Sequence, residues 1–367
     1  MSPVITVRAP GKLFIAGEYA VVSPGEPSVL VAVDRYVSVS VSESVGAGSI
    51  HSPEYGRSPL LWTRSADGLR IDPEHHPYDY VLAAITIVER LRADLRVAPR
   101  FFDLRIESGL DDVSGRKFGL GSSAAVTVAT VRALDEFYGL GLDRLAAFKL
   151  SMLATIRVNP SASGGDLAAS AFGGWIGYRA PDRDLLGERS ENGPIAPLLA
   201  DENLWAGLQI VRLHPPEQLR FVVGWTGEPA STARLVDELG RRTLAGAVDH
   251  PAFLLDSRAC VSALWESLSR CDDAATLDGI REARRLLQRL GAQAGLPIET
   301  AQLAVLCDIA EAAGAAAKPS GAGGGDCGIV LAPVHTDLAD IFREWEHHDV
   351  RHLTIGVHPP EGVLDVL

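Results

Sequence analysis

The run Gly119-Leu120-Gly121-Ser122-Ser123-Ala124-Ala125 carries residue types that hold phosphate. Glycines make a tight turn and let a ligand approach the main chain. Val126-Thr127-Val128-Ala129-Thr130 follows and is able to continue as a helix. The first amides of such a helix lack intrahelical partners and favour an anion, while the serine hydroxyls orient phosphate or a hydrated cation. The chemistry indicated is nucleotide-dependent phosphoryl transfer. Two common nucleotide motifs are excluded here, because Lys is missing from the G-x-x-x-x-G-K-[ST] position and no G-x-G-x-x-G is complete. On its own the run also fits a glycine-rich turn that tightens a strand-to-helix joint.

Phosphoryl transfer needs a held polyphosphate, a neutralising cation and a placed nucleophile. Lys12 offers compact positive charge beside a transferred phosphate. Asp166 closes the turn Asn159-Pro160-Ser161-Ala162-Ser163-Gly164-Gly165 and leads into the small-residue run Leu167 to Ala171. Its carboxylate can orient or deprotonate an acceptor, with Lys12 stabilising the charged form. The competing role is capping or dipole compensation at a helix start. A third glycine-rich stretch runs from Lys318 to Gly328. Three separated loops of this kind are more specific together than any one of them. An acceptor that is already a phosphomonoester needs little deprotonation, its second ionisation lying near ~6.

The elements that must position these residues read as mixed α/β. Val4 to Val7 is β-prone, Ala9-Pro10-Gly11 reads as a turn, and Leu13 to Ile15 resumes. Val29 to Val33, Tyr36 to Val41 and Phe102 to Ile106 read as strands, Tyr80 to Leu91 and Ser122 to Tyr138 as helices. Residues 181–204 are rich in charge and turn formers and suggest a domain crossing. Beyond them, strands are expected at Leu219 to Val223 and Ile329 to Leu331, and helices at 251–269, 278–291 and 299–314.

A chain of 367 residues suggests two sizeable domains, and its 47% apolar content is ample for their cores. The net charge of -13 argues against a nucleic-acid-binding surface, although a local basic pocket remains compatible with it. The four cysteines have neither zinc-finger spacing nor the density of a disulfide scaffold, so buried free thiols are expected. His75-His76 and His347-His348 do not make a metal cluster by adjacency alone. Met1 to Arg8 lacks a signal-peptide core, and Val29 to Val33 is too short to span a bilayer. A soluble cytoplasmic protein, with no nucleic-acid or membrane partner, is the expectation.

Pro10 to Leu13 with Gly17 to Val21, Gly119 to Ala125, and Lys318 to Gly328 resemble the three motifs of the galactokinase, homoserine kinase, mevalonate kinase and phosphomevalonate kinase superfamily. Ser163 to Ser170, Gly224 to Thr232 and the full Ser320 to Gly328 loop are most similar to the phosphomevalonate kinases. The resemblance implies an α+β, two-domain small-molecule kinase fold. Residues 1–190 would form a ribosomal-protein-S5-like, ATP-binding catalytic domain, and 191–367 a ferredoxin-like substrate-site domain. It implies transfer from ATP to (R)-5-phosphomevalonate, giving (R)-5-diphosphomevalonate and ADP, with Mg2+ and in a monomer or homodimer.

By the same resemblance, Lys12 and Asp166 are catalytic, and Lys117 with Gly119, Leu120, Gly121, Ser122, Ser123 and Ala124 receives ATP. Lys12, Ser161, Ser163, Ser320, Gly321, Ala322 and Gly323 face the acceptor, and Ser122 and Ser123 serve the metal. Asp326 reads first as a turn cap, and Glu18 as a brace of the first loop. Mevalonate kinases of this superfamily carry an acidic metal ligand upstream of the catalytic aspartate, whereas Ser151 to Pro160 holds no Asp or Glu. Mevalonate kinase, another small-molecule kinase, diphosphomevalonate decarboxylase and a non-catalytic metabolite-binding regulator are the alternatives.

Overall fold

The computed structural model describes residues 3–53, 56, 58–65, 68–71, 78–112 and 114–364; His75-His76 and the first two residues lie outside them. A long strand, β2 (Pro27–Ser44), is the spine of an eight-stranded sheet. The order is β5 (Gly68–Ile71), β4 (Leu60–Ser65), β3 (Gly48–His51), β6 (Phe101–Ser108), β2, β7 (Trp175–Arg179) and β8 (Gln209–Leu213), with β1 (Ile5–Ala16) also paired to β2. Helices α1 (Asp79–Asp94), α2 (Ser122–Tyr138), α3 (Arg144–Val158) and α4 (Gly165–Phe172) pack beside and upon it. Two shorter helices, α5 (Arg183–Asn192) and α6 (Ile195–Ala200), occupy the segment expected to be a crossing.

The two strands expected at Val29 to Val33 and Tyr36 to Val41 are one strand whose halves differ in environment. Residues 27–33 are buried throughout, because α8 (His250–Ser269) covers a face that the later half leaves open. Residues 37–42 alternate buried valines with partly exposed serines, the signature of a one-sided face. The turn expected at Ala9-Pro10-Gly11 is instead a register shift within the continuous β1. Pro10 has no amide for a ladder bond, so pairing slips there without ending the strand.

The second sheet contains β9 (Leu219–Trp225), β10 (Ala316–Pro319), β11 (Cys327–Pro333) and β12 (Arg351–Leu353), ordered β10-β11-β9-β12 and antiparallel throughout. Between its first two strands run α7 (Thr232–Leu244), α8, α9 (Asp273–Ala294) and α10 (Ala301–Ala312), and α11 (Leu338–His347) joins the last two. Numbered within this sheet, the strand order is 4-1-3-2 with helical crossovers, the ferredoxin-like arrangement. Apolar residues on both faces explain the unbroken run in β11. Ile329 and Leu331 join the core shared with the large sheet, whereas Val330 and Ala332 pack with Leu306 and Trp345 on the far face. Since β8 belongs to the large sheet, we place the division between domains at 214–218 rather than at residue 190, which falls inside α5.

Among the described residues no helix is long and apolar enough to cross a membrane. Cys260, Cys307 and Cys327 are buried free thiols, and Cys271 departs from expectation by being exposed. The turn before α10 is held from beneath by Arg284 of α9, which bonds Glu299, Asp308 and Glu311. Arg284 and Glu299 are both almost wholly buried, and Ile298 beside Glu299 accepts the Gly324 amide of the third glycine loop at 2.9 Å. Removing one member of a buried pair strands the other, at a cost of about 3–5 kcal/mol. Arg284→Met is therefore expected to destabilise the chain by about that amount, as read from urea unfolding midpoints.

The chain returns to the large sheet after β12. His358 accepts Gly174 N–H and donates its own amide to Ala32, each at 2.9 Å. Glu361 anchors this strap between Arg144 at 2.6 Å, Arg132 at 3.5 Å and His358 Nε2 at 2.8 Å. The His358 hydrogen bond, with Arg144 and Arg132, lowers the Glu361 pKa to about 2 against the opposing effect of burial. A carboxylate with a lowered folded pKa stabilises above its unfolded value, about 4.3, and loses that contribution as pH falls. Glu361→Gln should thus be less stable than the parent at pH 7. The difference should shrink below about pH 4 and vanish as pH falls through about 2, in unfolding curves taken across that range.

Candidate active site

The register shift in β1 is where the site begins. Past it, the Lys12 amide turns to the Leu120 carbonyl at 2.8 Å, docking the first glycine loop on the strand. A Cβ on Gly11 would come 2.8 Å from that carbonyl, so only glycine permits the approach. Gly119 and Gly121 both adopt positive φ. Side-chain carbon is also excluded there, since a Cβ would meet the Asp326 carboxyl at 2.6 Å or Lys12 Cε at 2.7 Å. From Gly121, α2 starts without a side-chain cap and with no acidic residue in its first turn. Its leading amides are left for an anion.

These residues line a cavity of about 500 Å³ between the two sheets' domains. Lys12 Nζ stands 3.7 Å from Asp166 Oδ2, the lysine nearly buried and the aspartate about one-third exposed. The expected pair therefore converges across 154 positions of chain, as the difference of the two residue numbers shows. Asp166 sits in the first turn of α4, whose N-cap Gly164 is left-handed and offers no side-chain cap. Gly164 is also pressed against Met152 Sδ and the Tyr178 hydroxyl, which donates to Ser163 O at 2.7 Å. Burial raises the Tyr178 phenol far above its ordinary range, so it stays a neutral donor.

The expected loop residues Lys117, Gly119, Leu120, Gly121, Ser122, Ser123 and Ala124 all border the cavity, as do Ser161, Ser163, Gly321 and Ala322. Ser320 and Gly323 do not border it. Ser320 Oγ accepts the Phe14 amide and donates to the Phe14 carbonyl, each at 2.9 Å, so its hydroxyl staples the third loop to β1. Gly323 lies against Ile298 O, where a Cβ would come within 2.0 Å. Lys318 belongs to β10, fully buried and paired with Glu18, so Glu18 ties down the base of the third loop. Tyr19 adds a bond to Ala322 O at 2.5 Å, and its phenol is raised well above its usual range by burial and by Glu18.

Sequence reasoning missed Tyr80, Asn159 and the segment Ala230 to Ala233, which leads into α7, as parts of the wall. The signal available for α7 was Ser231, whose hydroxyl caps it by accepting Arg234 N–H. Asp326 does cap a turn, its Oδ1 accepting Ala230 N–H at 3.1 Å, and it also borders the cavity. Burial raises its pKa to about 6 against the lowering effects of that amide, Lys12 and Lys117. Around one cavity stand two uncapped helix starts, a Lys–Asp pair and several hydroxyls. Such a set can hold a polyphosphate, place an acceptor and neutralise charge in transfer.

Two domain models match the chain, GHMP kinases N terminal domain over residues 79–174 and GHMP kinases C terminal over 274–350. Phosphomevalonate kinase of a Streptomyces species (strain CL190) is 46% identical over 97% of this chain and 96% of its own length. A solved protein from Listeria innocua is 33% identical with a TM-score of 0.91, covering 98% of this chain and 99% of that one. Phosphomevalonate kinase from Streptococcus pneumoniae, solved in complex with phosphomevalonate and AMPPNP, is 28% identical with a TM-score of 0.83 over 96% of this chain and 99% of that one. With similarity running the length of both domains and through all three glycine loops, the chain belongs to the GHMP kinase family.

Proposed function

We propose that this chain is a phosphomevalonate kinase, which transfers the γ-phosphoryl group of ATP to (R)-5-phosphomevalonate. The observation that carries the reading is the Lys12–Asp166 pair set beside the open start of α2 in one cavity. The full-length similarity to phosphomevalonate kinases supports the acceptor. ATP phosphates lie against the α2 amides and Gly119–Ala124, while Ser161, Ser163, Gly321 and Ala322 face the acceptor. Ser320 and Gly323 act from behind, by fixing the third loop.

In the transfer, an oxygen of the acceptor phosphate forms a bond to Pγ as the bond from Pγ to the β-bridging oxygen breaks, releasing ADP. The acceptor phosphomonoester is largely dianionic near neutral pH, with its second ionisation near ~6. Asp166 thus orients the acceptor more than it removes a proton, and Lys12 offsets charge where two anions meet. The cavity carries Asp111, Asp166, Asp237 and Asp326 against Lys12 and Lys117, a balance that suits a divalent cation entering with the nucleotide. Ser122 and Ser123 hydroxyls are suited to hold Mg2+, which when bound supplies charge neutralisation and phosphate orientation. With water-soluble substrates, we assign the enzyme to the cytoplasm.

A coupled assay with Mg-ATP should give ADP and a diphosphorylated product from 5-phosphomevalonate, and little turnover of mevalonate. Activity confined to mevalonate or another alcohol would overturn the acceptor, and carbon dioxide release would indicate a decarboxylase. Asp166→Asn keeps the side chain's size and should lower the single-turnover rate by about 10²–10⁴-fold with ATP binding retained. Lys12→Met should lower it by about 10²–10³-fold. A folded D166N with the parent's chemical rate would return Asp166 to a helix-start role.

A further inference from the structure

The transfer brings a triphosphate and an anionic acceptor into a volume already bordered by acids. Asp166 is answered by Lys12 and Glu18 by Lys318. Asp326 has no side-chain cation in ion-pair contact among the described residues, although the fields of Lys12 and Lys117 reach it. An uncompensated carboxylate beside two polyanions would repel both. It also lies against the phosphate-binding loop itself, because its Oδ2 occupies the space a Cβ on Gly119 would need. Oδ1 is committed to the Ala230 amide, so Oδ2 is the oxygen left with lone pairs for a ligand.

The other acids on the wall are placed differently. Asp237 is exposed on the flank of α7, and Asp111 accepts the Ser108 hydroxyl at 3.2 Å while its backbone bridges to Lys117. The end of α3 brings Thr155 and Asn159 to the cavity, neither of them charged. Magnesium is bound through one or two carboxylates together with substrate phosphates, at hard oxygen donors. We propose that Asp326 supplies a carboxylate ligand to the divalent cation that accompanies the nucleotide. The ligand thus comes from the second domain and reaches across to the glycine loop of the first. This rests on the phosphotransferase reading of the cavity.

Mn2+ and the non-hydrolysable nucleotide AMPPNP test it without turnover. Asp326→Asn preserves an oxygen to accept the Ala230 amide while removing the charge. Electron paramagnetic resonance titration of Mn2+ into the enzyme–AMPPNP complex should show affinity weakened by about tenfold or more. AMPPNP binding in EDTA should be unchanged or tighter. Mn2+ affinity within twofold of the parent, in folded D326N that binds AMPPNP, would overturn the proposal. Thr226→Val, which removes the hydroxyl bonded to Asp326 O, separates bracing from ligation: it should lower thermal stability and leave Mn2+ affinity unchanged. If T226V weakens Mn2+ as much as D326N, the role is bracing and the proposal falls. Should D326N fail to fold, Asp326→Cys gives a second reading, since a thiolate ligand turns preference from Mn2+ towards Cd2+. Unaltered preference would overturn ligation. A parent chain that binds no AMPPNP, with or without Mn2+, would overturn the phosphotransferase reading and this one with it.

Discussion

One backbone hydrogen bond, from Lys12 N–H to Leu120 O, sets the geometry on which the rest of the site depends. It exists because Pro10 interrupts the ladder and Gly11 leaves room for the loop. The same residue sends its side chain over Gly121 towards Asp166. Backbone and side chain of Lys12 therefore fix two loops at once, the one that opens α2 and the one that opens α4. A lysine on a strand of a buried sheet has little freedom to drift, which is what transfer between two anions requires.

The third glycine loop is held to this frame by contacts that spend its polar groups away from the cavity. Ser320 is saturated by the Phe14 backbone, Ala322 O by Tyr19, and Lys318 by Glu18 and Pro319 O. The Lys318–Glu18 pair is buried on both sides, and such pairs seldom add net stability over an apolar alternative. Their strength is in register: any slip of β10 against β1 would leave a buried charge without its partner. On its other side the loop leans on Ile298, whose turn Arg284 holds from below. Its position is set from both domains.

Much of this was legible in the chain. Glycine spacing, hydroxyls and the Lys12–Asp166 candidates marked the chemistry, and periodicity marked α1, α2 and the second domain's long helices. What local pattern could not show was the joining of Val29–Val33 to Tyr36–Val41, because the exposed Asp34 and Arg35 interrupt the apolar pattern where the covering by α8 ends. Pro10-Gly11 misled in the same direction, since a bulge and a turn use the same residues. The family resemblance turns Ser320 towards the acceptor, and nothing local assigns Lys318 a role. Their partners, Phe14 and Glu18, lie roughly three hundred positions away, beyond any local signal.

The two helix starts at the site are built alike and used oppositely. Both α2 and α4 begin at a left-handed glycine with no side-chain cap, Gly121 and Gly164. Each presents the positive end of its dipole to the cavity, although in α4 the Gly165 amide is taken by Ser163 Oγ at 3.4 Å. In α2 the first turn has no acid, and the field is free to act on a ligand. In α4 the first turn carries Asp166, an acid of the helix's own set at the positive end of its dipole. The place at a helix start and the place beside Lys12, alternatives when Asp166 is read in sequence, are one arrangement in space. Asp166 is thus held between the start of α4 and Lys12, which fixes where its carboxylate stands against the cavity.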